Sequence, residues 1–229
     1  MAYRELAPPL GLAHVVRCLW IRSGDERDAL VLPDGCVDVI VREERALVAG
    51  PDTGPVEVPL GSGEHVAGVR LRPGAGGAAL GVPAGELRDR RVALEELWGR
   101  AGREAGERAG EDPLELLAAL RDRLARAEPD ARVLAATRRL GAAPGTPIPA
   151  LAAAAGLGER HLRRRFIAAV GYGPKTFARV ARFRRALALV RAGEPPAAAA
   201  FAAGYSDQAH MTREMGELAG RTPGALARG

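Results

Sequence analysis

The sequence predicts an α+β protein of more than one domain. It combines an N-terminal small β-barrel or sandwich, a helical connector, and a C-terminal all-α domain with two helix–turn–helix units joined by a long helix. Short apolar runs separated by turn-forming residues fill residues 12–72, at a spacing of about ten residues, which is typical of an all-β domain. Apolar residues recur at helical spacing from residue 112 onward.

The amino-acid composition is typical of a folded globular protein. Apolar residues make up 47% and charged residues 27% of the 229 residues, close to the average for globular proteins. No apolar run approaches the roughly 20 residues that span a bilayer. The N-terminus lacks the pattern of a signal peptide, and two cysteines cannot build a disulfide framework. We therefore expect a cytoplasmic protein without a membrane partner.

Charge divides the chain into two halves. Residues 1–128 carry 17 basic and 22 acidic side chains, a net charge of −5, whereas residues 129–229 carry 16 basic and 6 acidic side chains, a net charge of +10. This asymmetry indicates a polyanionic partner for the C-terminal half, although a basic face can also simply be solvated.

Six apolar runs predict strands in the N-terminal half. They are Ala13 to Ile21, Ala29 to Leu32, Val37 to Val41, Ala46 to Ala49, Val56 to Leu60 and Val66 to Leu71. The third run is mostly apolar, so we expect it to lie centrally in its sheet. Residues 74–98 change to short helical pieces, and we place the boundary of the β-rich domain at residue 98.

Residues 99–128 are interpreted as a helical connector. Residues 100–111 hold a glycine at roughly every fourth position, and each costs a helix about 1 kcal/mol relative to alanine. They therefore form either a weak, solvated helix or a flexible joint. Asp112 and a following proline begin a better helix, in which Leu114, Leu117, Leu120 and Leu124 share one face. Such a stripe indicates core packing, or alternatively a dimer contact.

Residues 129–229 are predicted to form the all-α domain, beginning with a helix at Asp130. Residues 148–155 form a short apolar helix that ends at Gly156, and residues 159–170 form a second helix with Leu162 and Phe166 facing inward. This helix–turn–helix arrangement leaves the second helix free to enter a major groove. The outer surface of that helix carries Arg160, Arg163, Arg164 and Arg165.

The same pattern returns near the C-terminus. A short helix over residues 196–203 is closed by Gly204, Ser206 is a candidate N-cap, and a second helix over 207–218 turns Met211 and Met215 inward. The outward side chains are Gln208, Thr212 and Arg213. A helix over 174–191 joins the two units, and we expect their second helices to lie about 34 Å apart, on successive turns of one DNA face.

Residues 148–228 resemble the AraC/XylS-type DNA-binding domain. The first signature stretch is Leu151-Ala152, Gly156, Arg160-His161-Leu162-Arg163-Arg164-Arg165-Phe166 and Gly171-Tyr172-Gly173-Pro174. The second, more specific stretch is Ala203-Gly204-Tyr205-Ser206-Asp207-Gln208, His210-Met211-Thr212-Arg213 and Gly220-Arg221-Thr222-Pro223. The resemblance covers about 80 residues and implies a transcription regulator that binds double-stranded DNA.

The resemblance also implies which side chains contact DNA. Base-reading positions fall at Arg160, Arg163, Arg164, Asp207, Gln208, Ala209, Thr212 and Arg213. Arginine can bind guanine through two hydrogen bonds and glutamine can bind adenine in the same way. Phosphate-contact candidates are Arg165, which is alternatively a solvated charge, together with Lys175, Thr176 and Ser206. For His161 and His210 we expect packing or backbone hydrogen bonds.

Two departures from the family pattern weaken the second unit. Met215 replaces the usual phenylalanine, and the following Gly216-Glu217-Leu218 is not basic. We therefore expect the second unit to read DNA more weakly than the first.

The N-terminal half resembles the uncharacterised domains that precede AraC-type DNA-binding domains in many bacterial regulators. The matching stretches are Val31 to Ile40, Ala49-Gly50-Pro51, Gly68 to Gly74 and Leu94 to Gly99. Relatives use a cupin-like barrel as an effector sensor, which serves here as a fold analogy only. The candidate effector-pocket residues are Trp20, Asp34, Cys36, Arg70 and Arg72. The two arginines share a sheet face and could pair with an acidic effector or with Asp38.

No catalytic residue, metal site or cofactor is predicted. His14 and His65 are far apart in sequence, without the spacing of paired metal ligands. The expected partners are double-stranded DNA, a small-molecule effector, a second copy of the chain and RNA polymerase. Two alternatives remain open. One is a cysteine-based redox or alkylation sensor, or an alkyl-transfer protein, fused to a DNA-binding domain, and the other is an N-terminal half that only dimerises.

Overall fold

The computed structural model describes residues 2–23, 28–61 and 63–227. The strands are β1 (Ala2–Leu6), β2 (Val16–Ser23), β3 (Asp28–Val31), β4 (Val37–Arg42), β5 (Arg45–Ala49), β6 (Val56–Pro59), β7 (His65–Leu71) and β8 (Arg91–Ala93). The helices are α1 (Gly76–Leu80), α2 (Ala84–Leu87), α3 (Leu94–Trp98), α4 (Arg100–Ala109), α5 (Pro113–Ala125), α6 (Ala131–Ala142), α7 (Ile148–Ala154), α8 (Glu159–Val170), α9 (Pro174–Arg191), α10 (Pro196–Ala203), α11 (Gln208–Ala219) and α12 (Pro223–Ala227).

The β-rich N-terminal region and the helical C-terminal region are both confirmed. Six strands form one antiparallel sheet in the order β1-β2-β7-β4-β5-β8, and β3 pairs with β6 in a second sheet. All six predicted strands are present, and β4 lies between β7 and β5, as its apolar sequence predicts. The edge strands β1 and β8 were not predicted, because β1 has neither a continuous apolar run nor regular alternation and β8 has only three residues.

The two faces of the large sheet differ in chemistry, because successive side chains of a strand point to opposite sides. Val39 and Val69 lie on a face that packs into the main apolar core. Trp20, Asp38 and Arg70 lie on the opposite face, where Asp38 is in register with Arg70. The sheet thus has an apolar side and a side on which polar side chains are partly buried.

Helices α4 and α5 belong to the same core as the sheet. Ala105, Leu116, Leu120 and Leu124 are at most 1% exposed and pack into the apolar core beneath the strands. The segment predicted as a connector is therefore helical, and it also covers one face of the sheet. No helix within the described residues is long and apolar enough to cross a membrane.

The glycines of α4 serve close packing. A Cβ atom on Gly106 would lie 2.6 Å from the backbone nitrogen of Ala46 in β5, so only glycine lets the helix approach the strand this closely. Of the two alternatives for residues 100–111, the helix is therefore confirmed for Arg100–Ala109, but the expectation that it would be solvated is wrong, because its inner face is buried. In α5 the predicted stripe is wrong at one position, because Leu114 is 55% exposed and Leu116 is buried in the core.

The C-terminal region has two small cores that share α9. Phe166 and Phe177 pack edge to face in the first core, which α6, α7, α8 and the start of α9 enclose. Phe183 and Leu187 pack in the second core with α10, α11 and α12. The prediction that Phe166 faces inward is confirmed, and Phe177 and Phe183 are core residues as well. Since one rigid helix contributes to both cores, the spacing of the two units depends on α9.

The N-terminal region packs against both units. A Cβ atom on Gly77 of α1 would lie 3.0 Å from the carbonyl oxygen of Ala168, so α1 and α8 approach closely. Leu32 packs against the second core, and Arg221 lies 4.0 Å from Glu57 of β6. A change in the N-terminal region can therefore reach both units directly.

Candidate nucleic-acid interface

The first unit is held by a tight turn between two short helices. Gly156 follows the C-cap of helix α7, and its φ of +63° favours glycine at this position. The Leu157 N–H donates to the carbonyl of Ala152. Leu162 and Phe166 are completely buried, as predicted. The opposite face of α8 is consequently turned to solvent.

Three arginines occupy that solvent-facing surface. Arg160, Arg163 and Arg164 are all exposed, and their spacing of three and four residues places them on one side of α8. None of the three forms an ion pair with another residue that the structure describes. The surface therefore presents three unpaired guanidinium groups, which suit the guanine edges and phosphates of a DNA groove.

Arg165 has a different environment from its neighbours. Its Nε lies 2.6 Å from an Asp130 carboxylate oxygen, and Asp130 also caps α6 by accepting from the N–H groups of Arg132 and Val133. Burial alone would raise the pKa of Asp130, but the hydrogen bond from Arg165 and the backbone donors hold it below its usual value. Arg165 thus joins α8 to the N-terminus of α6, so a phosphate contact would compete with this ion pair.

The second unit repeats the arrangement with a different cap. Helix α10 ends at Gly204, with a φ of +90°, and Tyr205, Met211 and Met215 are buried. The N-cap of α11 is Asp207, whose carboxylate accepts from the His210 N–H at 2.7 Å.

The predicted N-cap, Ser206, is therefore wrong by one residue. Its hydroxyl donates to the other oxygen of Asp207. Because both carboxylate oxygens of Asp207 already accept hydrogen bonds, a base contact from Asp207 would compete with the cap.

The outer surface of α11 carries fewer charges than that of α8. Gln208 and Arg213 are exposed, and Arg213 makes no ion pair with any described residue. The Thr212 hydroxyl donates to the Gln208 carbonyl at 2.9 Å. Unpaired side chains capable of base contact are thus present on this helix, although only one of them is cationic.

The two histidines differ. His210 is half-buried, with its ring centroid 5.1 Å from that of Tyr205, so the expected packing role is confirmed. His161 is exposed on α8, and the same expectation for it is wrong. Its neighbour Leu162 is buried, but His161 lies on the exposed side of α8 together with Arg160 and Arg164.

Lys175 and Thr176 lie in the first turn of α9. Lys175 is exposed and Thr176 is half-buried. Gly173 is the N-cap residue and supplies no side-chain hydrogen bond, so backbone N–H groups of this turn are available to an anion.

Glu214 was missed by the sequence reasoning. It is 6% exposed, and its carboxylate accepts from Arg179 at 3.0 Å and from Arg182 at 2.9 Å. Arg179 also pairs with Glu217, and the guanidinium of Arg182 lies 4.8 Å from the Tyr205 ring centroid. This network fastens α11 to α9. The sequence does hold a signal for this network. Glu214 is an acidic residue on the inward side of α11, and α9 carries arginines that could pair with it.

The candidate effector residues divide into two groups. The Trp20 Nε1–H donates to Asp38 at 2.7 Å, and Arg70 Nε lies 3.0 Å from the same oxygen. Of the two arginines for which pairing with Asp38 was considered, Arg70 therefore makes this ion pair. Asp34 and Arg72 instead line a cavity of about 640 Å³ between the sheet region and helices α6 and α9. Trp20, Arg70 and Cys36 do not line this cavity.

The cysteines do not have the environment of reactive thiols. Both are buried and free, and burial raises the pKa of Cys36 well above its ordinary value and that of Cys18 to about 11. Because the thiolate is the reactive form, this environment disfavours the alternative of a cysteine-based sensor or alkyl-transfer protein. No group of three or more His, Cys, Asp or Glu side chains suited to a metal was found in the described part of the chain.

The architecture defines a DNA-binding protein with two helix-turn-helix units behind a β-rich domain. Residues 151–229 match the family model described as a helix-turn-helix domain, and residues 4–93 match a domain of unknown function (DUF6597). The helix-turn-helix domain is of the AraC type, and the chain is a DNA-binding transcription regulator.

Other comparisons add distant likenesses. No curated protein sequence matches the chain. Among solved structures, the chain is similar to ToxT from Vibrio cholerae, with 6% identity, a TM-score of 0.48, and coverage of 100% of this chain and 98% of that one. An apo form of ToxT from Vibrio cholerae strain SCE256 has 9% identity, a TM-score of 0.47, and coverage of 94% and 95%.

Proposed function

We propose that the protein recognises a specific DNA sequence with α8 and α11 together. In this proposal Arg160, Arg163 and Arg164 of α8 contact base edges in one major groove, and Gln208, Thr212 and Arg213 of α11 contact the next. The observation that carries the proposal is the set of exposed, unpaired guanidinium groups on α8 and α11. Because α8 and α11 are both anchored to α9, they suit a DNA site that consists of two half-sites.

The connecting helix supports the proposed geometry. Helix α9 has 18 residues, which at about 1.5 Å per residue span about 27 Å. Its first half packs in the core of one unit and its second half in the core of the other. This length is comparable with one turn of B-form DNA, so the expected separation of about 34 Å between the recognition helices stays our prediction.

Phosphate contacts complete the proposed interface. We assign Lys175 and Thr176 at the start of α9, together with Ser206 beside the cap of α11, to the DNA backbone. Asp207 keeps its capping role in this scheme and orients the first turn of α11. Arg165 acts through Asp130, by holding α8 against α6.

Residues 1–128 are proposed to control this DNA-binding part, which comprises residues 129–229. Within them, 1–98 supply the sheet and 99–128 the helices that join it to α6. Close packing of α1 on α8 and of Leu32 on the second unit supports control by an effector that alters the arrangement of the two parts. A cytoplasmic location, a homodimer and contact with RNA polymerase belong to the same proposal, which assigns no enzymatic activity.

Selection of bound fragments from random double-stranded DNA tests the proposed function. The full chain should enrich a bipartite site whose halves are centred about 10 base pairs apart. A mobility-shift titration then compares the selected site with one whose halves are separated by 5 further base pairs. Equal affinity for both spacings, or no enrichment at all, would contradict joint recognition by α8 and α11.

A further inference from the structure

A cavity lies where the sheet region meets the helix-turn-helix region. It has a volume of about 640 Å³, within the range of about 300–1,000 Å³ that is typical of small-molecule sites. The sheet region contributes His14, Arg17 and Arg72, and α6 and α9 contribute Arg138 and Arg184. A molecule bound there would contact both parts of the protein at once.

The charges that face this cavity do not balance. Four guanidinium groups line it, whereas Asp34 is the one carboxylate among the lining residues. Asp34 is already engaged, because it accepts from the Cys36 N–H at 2.9 Å and lies 3.8 Å from Arg70. Arg72 donates to the Ala13 carbonyl, and Arg17 contacts the neutral thiol of Cys36, so neither charge is neutralised there.

Arg184 has the least compensated position of the four. It makes no ion pair with any residue in the described ranges, although it is half-buried. Burial lowers the pKa of Arg184 below its ordinary value, with Asp34 opposing this effect and Arg17 and Arg70 adding to it. A cation removed from water without a counterion is costly, and an anion brought to it would recover part of that cost.

The remaining walls of the cavity are mostly apolar. Leu134, Phe177, Ala181 and Pro73 lie between the charged groups. A purely inorganic ion would leave these walls in contact with water. An anion with an apolar body would satisfy both kinds of surface.

We infer that this cavity binds an organic anion, with a carboxylate or phosphate group among Arg72, Arg138 and Arg184 and an apolar body against Leu134 and Phe177. The inference names the chemical class of the proposed effector, and in its regulatory part it rests on the proposed function. Without the anion, like charges on the two parts repel each other across the cavity. With the anion bound, the same charges draw the sheet region toward α6 and α9, which favours the arrangement in which α1 packs on α8.

Thermal unfolding of the full chain tests the site without DNA. The probes are sodium octanoate, hexyl phosphate and inorganic phosphate, each compared with sodium chloride at equal ionic strength. At about ten times its Kd, a bound organic anion should raise the unfolding midpoint by about 3–6 °C. Octanoate alone, hexyl phosphate alone, or both acting in this way would support the site and identify the acidic group. The absence of a shift with either organic anion would overturn it.

Three variants locate the effect. Arg138→Gln and Arg184→Met should each abolish the shift, whereas Arg132→Gln, an exposed arginine of α6 outside the cavity lining, should retain it. Arg138 is itself exposed, so its variant keeps the test decisive if Arg184→Met does not fold. A shift that persists in both cavity variants would overturn the site. An equal shift with inorganic phosphate would overturn the requirement for an apolar body.

The failures of the two proposals are distinguishable. DNA affinity of the ligand-free protein is measured separately in a mobility-shift titration, and it tests the interface on α8 and α11 alone. An anion-dependent change of at least about fivefold in that affinity would support the regulatory part. Stabilisation without any change in DNA affinity would overturn regulation through this cavity and leave the binding site standing.

Discussion

The carboxylate of Glu214 in α11 accepts hydrogen bonds from Arg182 in α9, at 2.9 Å and 3.1 Å, and so connects a candidate recognition helix to the helix that spaces the two units. Arg179 contributes a second guanidinium group, whose Nε donates to Glu214 at 3.0 Å. The carboxylate is 6% exposed, so water does not replace these partners. The ion pairs of this one side chain therefore add to the apolar packing that holds α11 against α9.

Replacing Glu214 with glutamine should lower the free energy of unfolding by about 1–3 kcal/mol, because two arginines lose their buried counterion. The lower part of this range applies if solvent compensates the partly exposed arginines. Denaturant unfolding followed by circular dichroism measures the loss. Glu217→Gln is the matched control, since Glu217 lies on the same helix but is exposed. A loss as large in the control would refute the special role of Glu214.

Acid should remove the difference between wild type and Glu214→Gln. Burial alone would raise the pKa of Glu214, but hydrogen bonds from Arg182 and its neighbours hold it below its ordinary value of 4.5. A depressed pKa contributes stability above the unfolded-state pKa, and that contribution disappears as pH falls through the folded-state pKa. Unfolding free energies of the two proteins should differ at pH 7 and converge below about pH 4.5. A constant difference down to pH 3 would count against this assignment.

Arg163→Ala should weaken binding to the selected DNA by about 1–3 kcal/mol and relax base preference at one position. Arg163 is exposed, so the variant should fold normally. Mobility-shift titrations with the selected site and its single-base variants measure both effects. Arg121→Ala removes the same charge from an exposed position on α5 and should bind as the wild type does. Unchanged base preference in Arg163→Ala would remove it from the base-reading set.

Alanine substitutions at Arg165 and Lys175 should distinguish a structural arginine from a lysine that contacts phosphate. Lys175→Ala should weaken binding to all sequences alike and make the slope of log K against log salt shallower by about 1. Arg165→Ala should instead lower the thermal midpoint, since it releases α8 from Asp130, and should leave the salt slope unchanged. Titrations between 50 and 200 mM salt, about the range over which such slopes are resolved, measure both. A reduced slope for Arg165→Ala would return it to the phosphate contacts.

The native cysteines should resist alkylation. With a pKa of about 11 for Cys18 and a higher-than-ordinary pKa for Cys36, about one thiol in a thousand or fewer is ionised near neutral pH. Intact-mass analysis after iodoacetamide treatment at pH 7.5 should find unmodified protein, and two added groups once the protein is denatured. Rapid stoichiometric modification of native Cys36 would instead revive the cysteine-based alternative.

Much of the architecture was predictable because its signals are local. The strand runs, the capped helices and the two glycine turns depend on residues adjacent in sequence. The contacts of Arg165 with Asp130 and of Glu214 with Arg182 join residues about thirty or more positions apart, so the sequence offered no distance between them. For the same reason Arg165 was grouped with its exposed neighbours. The choice of Ser206 as the cap was instead a local error of one residue, because serine and aspartate are both favoured at N-caps and Asp207 holds that position.

The candidate effector residues show the same division. Trp20, Asp34, Cys36, Arg70 and Arg72 were selected for residue type and strand position. Pairing of Arg70 with Asp38 depends on the register of β4 and β7, which a strand pattern does not reveal. Of these five candidates, only Asp34 and Arg72 line the cavity. Arg138 and Arg184, which also line it, belong to helices more than sixty residues later in the chain.

The sequence by itself determined the order of strands and helices, the acidic and basic halves, and the two helix-turn-helix motifs, because periodicity, charge and turn residues act over a few positions. The tertiary structure alone decided which charges are paired and which are free. Ion pairs and cavities form between distant segments, and burial sets the cost of leaving a charge unpaired. That is why Arg163 and Arg184, identical in type, have different surroundings and different proposed partners.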